Sequence, residues 1–225
     1  MSFPTDRITH NLEKALYGGT GRYDIPLMDP ATPVPAEDLT SREWLGFNYA
    51  ARCPDPQAHV VHFFIDDHNF ERVWKDADRY TRLLGRFHAV LSPDFSLYVD
   101  WPDAVNIWNH YRKQWLSCYW QDHGITVIPV LCWTTDPRSY DWCFDGIPAG
   151  AQVAVTTIGG FGRGRRDRAL LQPWLDGYRA ALERLSPTSM IIFGDLPEDP
   201  VPLAREGMEL IHVPNRRIQH QRTRG

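Results

Sequence analysis

Between residues 59 and 214 one pattern recurs about six times: a short β-branched or aromatic run, a polar or glycine stop, then a helical stretch. Strand-like runs fall at residues 59–65, 87–91, 125–132, 152–158, 190–193 and 208–213. Helical spacing fills residues 69–84, 102–123 and 169–185, with shorter helical turns at 139–144 and 203–206. Strands that are apolar throughout and separated by helices belong in a parallel sheet covered on both faces. Right-handed crossovers then bring every strand's carboxyl end to one edge. A full eight-unit barrel usually takes about 250 residues, more than this stretch supplies. The expectation is an α/β fold of about six β-α units with a mainly parallel sheet, small or incomplete and barrel-like. A doubly wound open sheet is the alternative.

Residues 1–50 lack this rhythm. Ile8, Leu12, Leu16 and Tyr17 fall at helical spacing behind Thr5, and Gly18-Gly19 would end that helix. Four prolines follow, Pro26, Pro30, Pro33 and Pro35, with Ile25, Leu27, Met28 and Val34 among them. So many apolar residues suit a strap packed on the body. The division read from the sequence is residues 1–50 as N-terminal helix and Pro-rich wrapping segment, 51–214 as a single α/β domain, and 215–225 as a basic tail.

The strand stops carry the chemistry. The run VVHFFI closes on Asp66-Asp67, the run ending at Leu91 closes on Asp94, and MIIF closes on Gly194-Asp195. Acids where a strand gives way to a loop lie at the edge where α/β enzymes place their sites. Asp66, Asp67 and Asp94 are therefore the candidate catalytic carboxylates, splitting acid and base roles or sharing a divalent ion such as Mg²⁺ or Mn²⁺. His68 joins Asp66 and Asp94 as a candidate metal ligand. The bland reading is that each Asp caps the helix behind it. Arg112 sits mid-helix among aromatic residues and is a candidate phosphate anchor, or else a surface arginine lying along Trp108 and Trp115. Tyr98, Asn109, Tyr111 and Trp133 are candidate substrate contacts on the same edge.

The fourth strand runs into IGGFGRGRRDR. Its glycines, Gly159 and Gly160 foremost, let backbone amides approach an anion, and Arg163 and Arg165 add charge. The spacing does not match GxGxxG. Residues 161–225 hold eleven arginines and eight acids, a net +3, against −7 for residues 1–160. DNA or RNA is thus an expected partner of the Arg-rich loop and tail, the alternative being a solvated loop. A GxSxG elbow, a Walker A loop, HExxH and CxxC are all missing, which removes the enzyme classes that need them. Four unclustered cysteines, no signal-like N-terminus and no long apolar run lead to the expectation of a reduced, cytoplasmic protein with no membrane contact.

VHFFIDD, FERVW, LSPDFSLY, NHYR, YWQDHGITVIP and SYDWCFDGIP, in this order over residues 45–195, resemble the motifs of an uncharacterised domain family. That family, a domain of unknown function, is carried by bacteriophages, plasmids and other mobile elements. The resemblance implies a bacterial host cell and neighbours that handle DNA. Its motifs include Asp66, Asp67, Asp94, Tyr98, Tyr111, Arg112 and Trp120. The Arg-rich loop and tail lie outside the strongest of them.

Three functions follow from these residues. The first is an enzyme, a hydrolase with or without a metal, acting on a phosphate-bearing substrate such as a nucleic acid or nucleotide. The second is a non-catalytic module binding DNA or a host protein through its basic segments. The third is hydrolysis of a glycosidic bond by paired carboxylates.

Overall fold

The structure is a computed structural model and describes residues 14, 16–159, 168–197 and 203–215. The expected N-terminal helix, the glycine-arginine loop from Gly160 to Arg166 and the basic tail after residue 215 lie outside the described residues, apart from the end of the first.

Parallel pairing dominates, as the alternation requires. Strands β3 (Glu43–Gly46), β4 (His59–His62), β5 (Ala89–Leu91) and β6 (Val127–Ile128) form one sheet in that order. Strands β7 (Gln152–Thr156), β8 (Ser189–Phe193) and β9 (Glu209–Val213) form a second. A single parallel bridge, Val130 to Ala154, joins them. No pairing closes β9 onto β3 among the described residues, so the barrel stays open.

The two-residue period of each strand sorts its side chains into inner and outer cores. Val60, Ala89, Leu91, Ile128, Ala154, Ile191, Phe193 and Ile211 face one shared inner core, plugged by Val34 and Leu39. Their alternates face outward. Val61, Val90 and Val127 pack beneath the helices of the first sheet, and Val153, Val155, Met190 and Ile192 beneath those of the second. Those helices are α3 (Arg72–Lys75), α4 (Ala77–Leu84), α5 (Asp103–Asp122) and α6 (Arg168–Leu185). The two sheets share this inner cluster without closing, in keeping with the open-sheet alternative rather than the barrel-like form.

Several elements depart from the sequence reading. The helix expected over residues 69–84 is broken. Asp76 leaves the helical region (φ −137°, ψ 68°) and its carboxylate accepts the Arg79 amide, so α4 starts afresh. The strand expected over 125–132 is cut at Pro129, which has no N–H to give a ladder. The next amide, Val130 N–H, goes to the Ser92 hydroxyl at 2.7 Å. Residues 203–206 form no helix. The N-terminal stretch supplies β3, a hairpin of β1 (Gly19–Thr20) and β2 (Ile25–Pro26), and the short helices α1 (Ala36–Ser41) and α2 (Phe47–Ala50). The sheet therefore takes in residues ahead of position 51. No helix among the described residues is long and apolar enough to cross a membrane.

The Pro-rich strap is tied down by glutamines acting as stand-ins for peptide groups. Gln152 accepts Val34 N–H at 3.0 Å and donates to Val34 O at 2.9 Å and Ser189 Oγ at 2.9 Å. Gln121 treats Asp29 in the same way, at 3.0 Å each. Leucine at position 152 would strand the Val34 amide and carbonyl inside the protein. Gln152→Leu is expected to destabilise the fold by roughly 2–4 kcal/mol in denaturant unfolding, and an unchanged midpoint would mean that the strap is not anchored there.

Candidate functional site

With every strand of both sheets parallel, the carboxyl ends lie on one edge. Three adjacent exits carry the polar groups. After β4 comes Asp67, after β5 come Ser92, Asp94 and Ser96, and after β6 comes Cys132. Behind them runs α5, buried on most of its faces although Asn106, Asn109, His110, Arg112, Lys113, Gln114 and Ser117 lie along it.

Those polar residues hold the β5 exit loop. Asn106 accepts Tyr98 N–H at 3.0 Å and donates to Tyr98 O at 2.8 Å. Asn109 donates to Ser96 O at 2.8 Å. Asp67 receives the Ser96 amide at 3.1 Å and its hydroxyl at 2.8 Å, which locks the β4 exit to the β5 exit. Lys113, 1% exposed, donates to Val130 O at 3.0 Å, where β6 has lost its regular pairing.

Asp94 is the group these contacts surround. Burial pushes its carboxyl up from 3.8 to about 6; the Lys113 ammonium opposes the shift, the Asp67 charge adds to it, and the Cys132 thiol opposes it. Cys132 is itself pushed up to about 12, by burial first and then by Asp94, so it remains a thiol at neutral pH. The result is two neighbouring carboxyl groups in unlike surroundings. Asp67 accepts two hydrogen bonds from Ser96, and Asp94 is desolvated. Unlike environments of this kind divide acid and base roles between carboxyl groups.

The other expected residues fall as follows. Asp66 and His68 are exposed on the loop after β4. Asp67 does not cap the short 3-10 turn that begins there. Arg112 is 8% exposed and bound on several sides: Nε donates to Asn109 Oδ1 at 3.1 Å, Nη1 to Glu71 Oε1 at 2.6 Å, and the guanidinium lies 3.7 Å from the Phe95 ring centre. These contacts fix α5 to the β5 exit. Asn109 is buried in the same network. Trp133 packs its indole directly over Gly177 of α6, where a Cβ would meet Nε1, and beside Trp174 and Phe144. Tyr98 is exposed and Tyr111 half-buried. Gly159 stands at the exit of β7 with φ +78°, while Gly160, Arg163 and Arg165 lie outside the described residues. Among the described residues no group of three or more His, Cys, Asp or Glu side chains is placed to hold a metal ion. The four cysteines are free thiols. His62, at the end of β4, is a core histidine: burial lowers it to about 4, and Nδ1 accepts the Phe64 amide at 3.2 Å.

Sequence reasoning passed over Lys113 and Cys132. A signal for Lys113 was present. Asn106, Asn109, Lys113 and Ser117 form one polar stripe at helical spacing, flanked by aromatic residues on both sides, so the stripe faces protein rather than water. Cys132 carried no comparable signal.

The fold is that of an open parallel α/β protein with two carboxyl groups at adjacent strand exits. The family is also shown: the chain belongs to the domain of unknown function DUF4417, which matches residues 17–202. It is similar to the Gene 1 protein of Mycobacterium phage D29, 38% identical over 180 residues, which is 80% of this chain and 63% of that protein. It is also similar to the Gene 1 protein of Mycobacterium phage L5, 36% identical over 180 residues, 80% of this chain and 75% of that one. The chain thus spans less than two thirds of the D29 protein's length. These relatives bear out the phage-associated resemblance carried by the motifs. No solved structure matches.

Linkage gives the site a stability signature. Asp94 has a raised folded pKa, so between pH 3.8 and about 6 the unfolded chain binds fewer protons, and stability falls as pH rises through that window. His62 works in the opposite sense, its contribution being lost as pH falls from 6.5 towards about 4. Comparing Asp94→Asn with wild type isolates the first effect. The variant is expected to melt at a higher temperature at neutral pH, with the gain disappearing below about pH 4. A pH-independent difference in melting temperature would contradict the assignment.

Proposed function

We propose that the protein is a hydrolase in which Asp94 and Asp67 act as a carboxyl pair, and that the bond cleaved is glycosidic. Asp94 gives its proton to the leaving oxygen as the bond from the anomeric carbon breaks. Water adds its oxygen to that carbon, and its proton passes to the Asp67 carboxylate, which Ser96 positions. The observation that carries this reading is the meeting of the two groups at adjacent strand exits in opposite environments. Lys113 is buried and acts on Asp94 through charge; it is a positioning residue.

One observation favours a second reading, cleavage of a phosphate ester. The strand β7 ends on the same edge, and the sequence runs on from Gly159 into a stretch with four arginines. Phosphate would then be held by Arg163 and Arg165, since Arg112 is committed to Glu71, Asn109 and Phe95.

Turnover of a panel of chromogenic aryl glycosides and of bis(4-nitrophenyl) phosphate separates the two. Glycoside cleavage by the wild type is expected, with kcat/KM falling as pH rises past about 6, where Asp94 loses its proton. Asp94→Asn is expected to lose roughly 100-fold or more. Phosphodiester turnover that is abolished in an Arg163→Ala/Arg165→Ala double variant and untouched in Asp94→Asn would replace the first reading with the second. A wild type inert on every glycoside of the panel would count against the first.

A further inference from the structure

The loop that carries Asp94 continues into a band of exposed rings. Tyr98, Trp101 and Trp108 are 47%, 40% and 38% exposed, unusual values for such large apolar side chains on one short stretch of surface. Tyr98 and Trp101 lie with ring centres 4.5 Å apart. Trp108 lies nearly parallel to Tyr111, at 9° and 5.8 Å, and Trp74 meets it edge-on at 5.3 Å. Tyr23, at the tip of the β1–β2 hairpin, forms the far wall of an open groove floored by Ala104, Ile107, Trp108 and Tyr111. From these rings we infer a binding platform for the sugar rings of a neutral oligosaccharide, leading to Asp94. The inference rests on the glycosidic reading and names the face that would hold the chain of sugars.

Three features argue for that occupant. The first is pre-organisation. Both backbone polar groups of Tyr98 are clamped by Asn106, and Trp108 is wedged between Trp74 and Tyr111, so the platform needs little ordering when a ligand arrives. The second is charge. Asp100 and Asp103 are exposed beside the rings, and Asp136 is already joined to Arg138 at 2.6 Å. Among the described residues these three carboxylates stand against Arg22, Arg138 and Lys14, the last lying over the Trp74 ring, and Arg138 also feels Asp103. A single-stranded nucleic acid needs a positive groove alongside its stacking rings, and the described residues of this face carry no excess of cations. Sugar hydroxyls donate well to carboxylates, and the apolar faces of sugar rings lie flat on aromatic ones. The third is continuity. Tyr98 follows Asp94 by four residues, at most about 14 Å of extended chain, and Ser96, bonded to Asp67, lies between them. The near end of the platform is thus tied by a short, clamped loop to the segment that carries the carboxyl pair. The partly open cavity under the Pro-rich strap, lined by Met28, Pro33, Val34 and Gln152, sits at the opposite edge, by the amino ends of the strands.

The test is a titration of the full chain with linear oligosaccharides of glucose and of N-acetylglucosamine, followed by tryptophan fluorescence and calorimetry. Saturable binding insensitive to added salt is expected for at least one of them. Trp101→Ala and Trp108→Ala are each expected to weaken it about 10-fold, as losing a stacked ring does, while Trp108→Phe recovers most of the loss and shows that the fold is intact. Asp94→Asn is expected to bind as the wild type does, so failure of the catalytic reading and failure of the platform are told apart. An Asp94→Asn variant that still cleaves glycosides sinks the first and leaves the second. Binding unchanged in Trp108→Ala, no binding of either sugar series by folded protein, or salt-sensitive binding of oligo(dT) that depends on Trp108 would each overturn the platform.

Discussion

The carboxyl edge of the sheets depends on the buried polar side of α5. A helix interior to a protein is ordinarily apolar, because a polar group without a partner costs about 1–3 kcal/mol. Here Asn106, Asn109 and Lys113 meet that demand by bonding the backbone of neighbouring strand exits, Tyr98, Ser96 and Val130. Arg112 adds Glu71 and the Phe95 ring. One helix thus fixes the β5 and β6 exits relative to each other, and Ser96 with Asp67 extends the lattice to β4. Asp94 is left with its carboxyl desolvated, and the Lys113 ammonium and Cys132 thiol offset that burial only in part. Its surroundings favour the proton-bearing form, which costs stability at neutral pH and is the usual mark of a group kept for chemistry.

The same logic organises the rest of the molecule. The two sheets meet through a single bridge and hold together chiefly through the inner apolar cluster to which β4–β9 contribute. At the amino ends that cluster is closed by the strap residues Val34 and Leu39, the former held by the buried Gln152 side chain. At the carboxyl ends it passes beneath the polar exits, with Phe64 and Phe193 packed against His62. A polar edge above a dry floor is a surface on which a carboxyl group can be kept partly out of water.

Much of this was legible in the sequence because it rests on periodicity. Apolar runs of strand length gave β4, β5 and β7–β9, and the acid after each of the first two gave Asp67 and Asp94. The break at Asp76 was hidden because the apolar spacing of α3 and α4 is continuous across it. Strand β3 escaped notice since Glu43–Gly46 has little alternation, its role being set by pairing with β4. Arg112 read as a phosphate anchor because its spacing cannot show that Glu71 and Asn109, 41 and 3 residues away, already claim it. Lys113 went unread although it lies in a protein-facing polar stripe, and only the third dimension puts its ammonium close to Asp94. The DUF4417 family carries no assigned activity, so the chemistry has to be argued from these contacts.

The most direct measurement is a carboxyl-carbon NMR titration of Asp94 in the folded protein. An inflection near pH 6, moving upward when Lys113 is replaced by methionine, is expected from the burial and charges around it. An inflection at the ordinary value of 3.8, unmoved by that replacement, would contradict the desolvated carboxyl on which the proposed chemistry stands.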